Sequence, residues 1–202
     1  MKKLEISLEP YHSEVGKIEF VLFKSGVYWD FPFTWGKTII CLTPKFFTNS
    51  HKEMLTILTH EWIHLDQRRD RQKYELYYRN LGFRKAQIDF GALWPYILRN
   101  PDADNYEWIW QSDPTSPIYV PVALLHQCQF STALLEFKDI AKGEVVLHKT
   151  ENVPEYHGHF GTKRQLYHPN EIVAHLIADY LVDGYRHRQI DYNILIGLLV
   201  KK

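Results

Sequence analysis

Apolar and polar positions alternate through residues 17–43, where KIEFVLF, VYWDF and KTIICLT read as three strands with Gly26 and Gly36 as turn residues between them. Pro44 closes this part, and from Ser50 the period lengthens. Met54, Leu55, Ile57, Leu58, Trp62 and Leu65 recur at spacings of three and four, as on one side of a helix. Ser50 and Glu53 stand in the S-x-x-E relation of a capping box, which sets the start of that helix. Neither Gly nor Pro follows until Gly82, so the pattern predicts one helix of about thirty residues.

Residues 83–99 suggest a second, less regular helix, interrupted by Gly91 and Pro95 and ended by Asn100-Pro101-Asp102. The short apolar runs 106–110, 118–125 and 130–137 read as a small antiparallel sheet, although the last fits a helix equally well. Residues 138–168, rich in Gly and His, read mostly as loop. Pro169 and Glu171 then open a helix whose apolar side is Ile172, Val173, Leu176, Ile177, Tyr180 and Leu181, with Gly184 at its end. The order of elements predicts an α+β fold, and 202 residues suffice for one sizeable core, so residues 1–202 are expected to form a single domain.

Charge narrows the partners. Lys+Arg and Asp+Glu are both 24, so no net field recruits nucleic acid or an anionic membrane, and the densest basic run, Arg68 to Lys73, reads as a solvated helix face. The N-terminus lacks the apolar stretch of a signal peptide, and no segment approaches the ~20 apolar residues of a membrane span. Only Cys41 and Cys128 occur, so a disulfide framework is not expected and an intracellular, cytoplasmic location is.

The candidate chemistry lies in LTHEWIHLDQ, residues 58–67. On a helix, positions i and i+4 share one face, so His60 and His64 present two imidazoles able to bind one ion. Glu61 flanks that face, where its carboxylate reaches a water on the metal without displacing it. The bland alternative is a helix with two histidines satisfied by ordinary hydrogen bonds.

HEWIH resembles the zinc-binding helix of the zincin metallopeptidases, a likeness that implies Zn2+, His60 and His64 as ligands, Glu61 as catalytic base, and a protein or peptide substrate. The metzincin branch has a Gly three past the second His and a further ligand three later. Here those positions are Gln67 and Asp70, and Met1 and Met54 both lie upstream of the motif, so that branch does not fit. The gluzincin branch takes its third ligand from a Glu on a later helix, and YHPNEIVAHLIADYL, residues 167–181, has that look, which implies Glu171. His175 or His168 remain alternatives as third ligand. Gluzincins often carry an Asp four residues after the ligand Glu. That position is His175 here, with Asp179 one turn further, so His175, Asp179 and Asp66 are candidates for supporting the ligands.

Between the two metal-binding helices, residues 83–168 form an insertion expected to wall a cleft. A donor for a developing oxyanion is expected from Tyr167 or His157, with Tyr156 and His159 as further candidates in the same segment. Trp108 and Trp110 share one side of a strand and would favour apolar substrate groups if that side lines the cleft. HEWIHLDQ, the basic helix, NPDADNY and YHPNEIVAH together are similar to small bacteriophage proteins described as metallopeptidases. The second functional class left open is a non-catalytic zincin scaffold, a binding or assembly component whose metal staples two helices.

Overall fold

The computed structural model describes residues 17–102, 107–126, 129–139, 144–161, 166–186 and 190–197. The N-terminal stretch, residues 103–106 of NPDADNY, and Cys128 lie outside them, together with the expectations placed there. Cys41 is buried with a free thiol.

The fold is α+β. Strands β1 (Glu19–Leu22), β2 (Phe33–Trp35) and β3 (Ile39–Leu42) form a sheet of order β1-β3-β2. This sheet is mixed rather than antiparallel, because β1 runs parallel to β3 while β2 and β3 form a hairpin. Gly36, with φ 61°, lies between the hairpin strands. The expected strand VYWDF is instead a 3-10 turn, Val27–Asp30, in which Tyr28, Trp29 and Asp30 take φ of 50°, 55° and 63°. Three successive non-glycine residues in this region cost of order 1–3 kcal/mol each. Asp30 partly offsets this by accepting the Gly26 N–H at 2.9 Å.

Helix α1 (His51–Arg69) starts at the expected capping box: Ser50 Oγ accepts from Glu53 N, and Glu53 Oε2 accepts from Ser50 N at 2.8 Å. Every residue from Leu58 to Leu65 is buried. Leu58 and Leu65 pack with Phe20, Ile40 and Leu42 of the mixed sheet, whereas Trp62 and Ile63 belong to the main core on the other side. The single long helix of the expectation is two. Asp70 breaks it, with φ −127° and ψ 65°, and its carboxylate accepts from Lys73 N at 3.2 Å as the N-cap of α2 (Arg71–Asn80). Aspartate favours a cap over a helix interior because its short carboxylate competes for backbone N–H groups.

Residues 83–99 form strand β4 (Phe83–Lys85) and a 3-10 turn, Gly91–Tyr96, rather than a helix. The remaining strands are β5 (Trp108–Trp110), β6 (Tyr119–His126), β7 (Gln129–Asp139) and β8 (Glu144–Lys149), and β4 to β8 form a five-stranded antiparallel meander in sequence order. The expected loop 138–168 therefore contains a strand, β8, and also a helix, α3 (Pro154–Phe160). Helix α4 (Pro169–Asp183) follows, ended as expected by Gly184 in the left-handed region, and α5 (Tyr192–Gly197) comes last. Helices α1 and α4 pack against each other at the centre of the molecule. Among the described residues no helix is long and apolar enough to cross a membrane.

One ion pair fixes the segment that crosses between the two sheets. Leu98 N donates to Ala123 O of β6, and the chain then reaches Asp102, 4% exposed, which accepts from Arg68 Nη2 at 2.9 Å and from Thr34 N of β2 at 3.0 Å. Arg68 also donates to Pro101 O at 2.6 Å and to the carbonyls of Thr34 and Gly36. Arg68 is thus not on a solvated face, as the basic run suggested. It anchors the 98–102 strap to α1 and β2. Removing one partner of a buried pair leaves a desolvated charge, so Arg68→Ala should lower unfolding free energy by about 3–5 kcal/mol. Arg68→Ala/Asp102→Ala should cost less than the two single changes added together, as read by urea denaturation.

Candidate metal centre

The positions of the motif follow from helical geometry and from the company α1 keeps. Because α1 is packed on both sides, the face carrying His60, Glu61 and His64 is buried too: they are 9%, 4% and 1% exposed. Opposite them α4 brings Glu171, 2% exposed, from its first turn. His60 Nε2 and His64 Nε2 are 2.9 Å apart, His60 Nε2 is 3.2 Å from Glu171 Oε2, and His64 Nε2 is 3.4 Å from Glu171 Oε1.

These donors fit a metal ion. Tetrahedral ligands about 2.0–2.1 Å from zinc stand about 3.3 Å from one another, within a few tenths of an ångström of the His60–His64 and His60–Glu171 Oε2 separations, while it is Glu171 Oε1 that stands 3.4 Å from His64. Two imidazole nitrogens aimed at each other at hydrogen-bond distance need a proton or a cation between them. A buried cluster of two imidazoles and two carboxylates is otherwise costly to desolvate. His60, His64 and Glu171 are the group of potential ligands that the described residues bring together, so the third member comes from Glu171. His168 is placed elsewhere: it is the N-cap of α4, its Nδ1 accepting from Asn170 N at 3.1 Å. The His175 ring lies 4.3 Å from the His60 ring and lines the same cavity without joining the ligand set.

The supporting contacts differ in part from expectation. Gln67, at the position where a metzincin has glycine, accepts from His64 Nδ1 through Oε1 at 2.8 Å, and its Nε2 donates to Asn170 O at 2.9 Å. Because Gln67 Oε1 can only accept, it holds the proton on His64 Nδ1 and leaves Nε2 to face Glu171. Asp66 does not take that role. Its Oδ2 accepts from Lys73 Nζ at 2.8 Å and Tyr74 Oη at 2.7 Å, tying α2 back onto α1 across the Asp70 break. Asp179 is buried on α4, two turns beyond Glu171.

Asn100, unremarked in the sequence except as a helix stop, donates through Nδ2 to Glu171 Oε1 at 2.5 Å and also to Tyr167 Oη. Its Oδ1 accepts from Asp102 N at 2.8 Å, and Asn170 Nδ2 donates to Asp102 O at 2.9 Å. The strap thereby joins the start of α4 to the ligand carboxylate. The sequence signal for Gln67 was its i+3 relation to His64; for Asn100 there was none, since its partners are 67 and 71 residues away.

The triad opens into a cavity of about 190 Å³ that Glu61 also lines. Its apolar wall includes Phe31, Ile57, Leu98 and Phe130, with Tyr28 and Tyr167 among the polar-tipped residues. Phe31 and Tyr28 reach it from the left-handed turn before β2, Leu98 and Phe130 from the segment between α1 and α4. Other expected site residues lie apart. Tyr156 is fully buried in the main core and donates to Leu166 O at 2.7 Å. His157 and His159 sit on α3, His159 packing 4.6 Å from Phe160, and neither lines the cavity. Trp108 and Trp110 do share a face, but that face is turned to the core, where Trp110 Nε1 donates to Leu81 O.

Electrostatics follow from burial plus crowding. Burial, reinforced by Asp102, raises the Glu61 carboxyl well above its ordinary range. For His64 burial opposes the charged ring, but Glu171, Asp102 and Glu61 outweigh it and push the group up to about 10. Burial and the His64 charge lower His60, which keeps it neutral. Burial disfavours the Glu171 carboxylate, yet the His64 charge and the imidazole hydrogen bonds leave it well below the ordinary range. A metal-free site therefore holds a proton where an ion would sit.

The sign of the linkage is set by His64 and Glu61, both of which bind protons more tightly folded than unfolded. The His64 contribution is complete below its unfolded value and is lost as pH rises toward about 10, the Glu61 contribution is lost in the same direction, and the Glu171 contribution is lost only in acid. Metal-free protein should lose stability steadily from pH 6.5 to 10 in chemical denaturation. Zinc binding at pH 7 should release protons, read as a dependence of calorimetric heat on buffer ionisation enthalpy. A flat metal-free profile would contradict the proton-for-metal exchange.

Comparison of the chain with models of protein families, with curated proteins and with solved structures finds no match. The likeness to an HExxH site with a later glutamate is accordingly carried by the buried His60, His64 and Glu171 on α1 and α4.

Proposed function

We propose that the chain is a zinc-dependent metallopeptidase of gluzincin-like design, with His60, His64 and Glu171 holding the ion and Glu61 acting as general base on a protein or peptide substrate. The observation that carries this reading is that Glu61 and all three candidate ligands line one cavity. Zinc bound by such a set lowers the pKa of a coordinated water toward neutrality and polarises a carbonyl.

Glu61 Oε2 is buried without a hydrogen-bond partner among the described residues, so it is available to water entering the cavity. In this reading the Glu61 carboxylate takes the attacking water's proton and returns it to the leaving amine nitrogen, a transfer favoured by the same burial that raises its proton affinity. Tyr167, on the cavity wall, is the group we assign to stabilise negative charge on the substrate carbonyl oxygen. The apolar wall formed by Phe31, Ile57, Leu98 and Phe130 suits an apolar side chain next to the scissile bond. A purely structural metal would call for a fourth protein ligand and has no use for a buried, unliganded carboxylate beside it.

Glu61→Gln should keep about one zinc per chain and lower peptide hydrolysis by about 10²- to 10⁴-fold, in a fluorogenic peptide assay beside metal analysis. An unchanged rate removes Glu61 from the chemistry. Glu171→Ala should sharply weaken zinc binding, and wild-type affinity in that variant would exclude Glu171 from the ligand set.

A further inference from the structure

We propose that Asn100 is a positioning residue that fixes which oxygen of Glu171 meets the metal. The inference rests on the metal-binding part of the function proposed above, and not on the peptidase activity itself. Glu171 presents two oxygens to the site. Oε2 lies 3.2 Å from His60 Nε2, while Oε1 lies 3.4 Å from His64 Nε2 and also receives the Asn100 amide at 2.5 Å.

The orientation of that amide follows from its partners. A backbone N–H can only donate, so the bond from Asp102 N at 2.8 Å identifies the near atom of Asn100 as its oxygen. The nitrogen then faces Glu171, whose carboxylate can only accept. Asn100 itself is 8% exposed and cannot turn away without leaving a buried carboxylate oxygen and a backbone N–H unsatisfied. Behind it, Asp102 is clamped by Arg68 and Thr34, and the Asp102 carbonyl by Asn170, the residue preceding Glu171. The amide is therefore held from α1, β2 and α4 together.

Of the two oxygens that face the imidazoles, Oε1 already carries the Asn100 amide, so Oε2 is the better placed to act as ligand and Glu171 to serve as a one-oxygen donor. Three protein donor atoms then leave a tetrahedral ion one position for solvent. If the amide were lost, the carboxylate could rotate and offer both oxygens, filling that position. Asn100 thus keeps the coordination shell open without touching either the ion or the substrate.

The test uses the full chain, stripped of metal and reloaded with zinc or cobalt(II). Asn100→Ala should weaken zinc affinity by about 10- to 100-fold, measured against a chromophoric chelator. It should also lower the visible absorption of the cobalt(II) form, which weakens as coordination rises above four. Asn100→Asp, which sets a second negative charge against Glu171, should alter the cobalt spectrum as well. Wild-type affinity and spectrum in Asn100→Ala overturn the proposal. If Asn100→Ala does not fold, as judged by near-ultraviolet circular dichroism, Asn100→Gln carries the same test, because it keeps the amide but displaces it by one methylene. Failure of the wild-type chain to bind zinc would instead sink the metal-site reading on which the proposal stands.

Discussion

The constraint on which the rest depends is the burial of two imidazoles and two carboxylates where helices α1 and α4 pack together. Helix α1 is covered by the mixed sheet along Leu58 and Leu65 and by the main core along Trp62 and Ile63. A charged cluster there is tolerable only if positive charge resides among the donors. In the metal-free chain a proton on His64 serves, drawn by Glu171, Asp102 and Glu61 against the cost of burial. A divalent cation meets the same demand more fully. The candidate metal centre is thus tied to the way the core is balanced, since a cation there would meet the charge that the buried donors leave.

A continuous set of hydrogen bonds carries that constraint outward. His64 is held by Gln67, Gln67 by the carbonyl of Asn170, the Asn170 side chain by the carbonyl of Asp102, and Asn100 returns to Glu171. Two ligands on separate helices are connected through a strap that belongs to neither helix. Such a closed network restricts each member more than isolated pairs would, since moving one group leaves a buried partner unsatisfied. The Arg68–Asp102 pair is the anchor of this arrangement, and it lies one helical turn beyond His64.

What the sequence made legible was local. The cap at Ser50, the shared face of His60 and His64, the acidic first turn of α4 and the stop at Gly184 all depend on residues a few positions apart, and all are present. The break at Asp70 escaped because a lone Asp within a polar run reads equally well as helix surface or as cap. Strand β8 escaped because it is a polar edge strand with a weak apolar alternation. For α3 the signal existed, in Pro154 at the first turn and Tyr156 and Phe160 four apart. Arg68, Asn100 and Asp102 were illegible in principle. Their roles are set by partners tens of residues distant, and nothing in the local pattern separates a clamping arginine from a solvated one. The same holds for His157, whose helix α3 lies apart from the cavity that Tyr167 lines.

The strap has one further effect, on strand β2. Its outer rim would ordinarily offer amides and carbonyls as rungs for another extended chain. Pro32 has no amide to offer, the Thr34 amide is taken by Asp102, and the Thr34 and Gly36 carbonyls are taken by Arg68. That rim is sealed by side chains of the molecule itself, so it adds no extra strand, whether from a visitor or from a second copy.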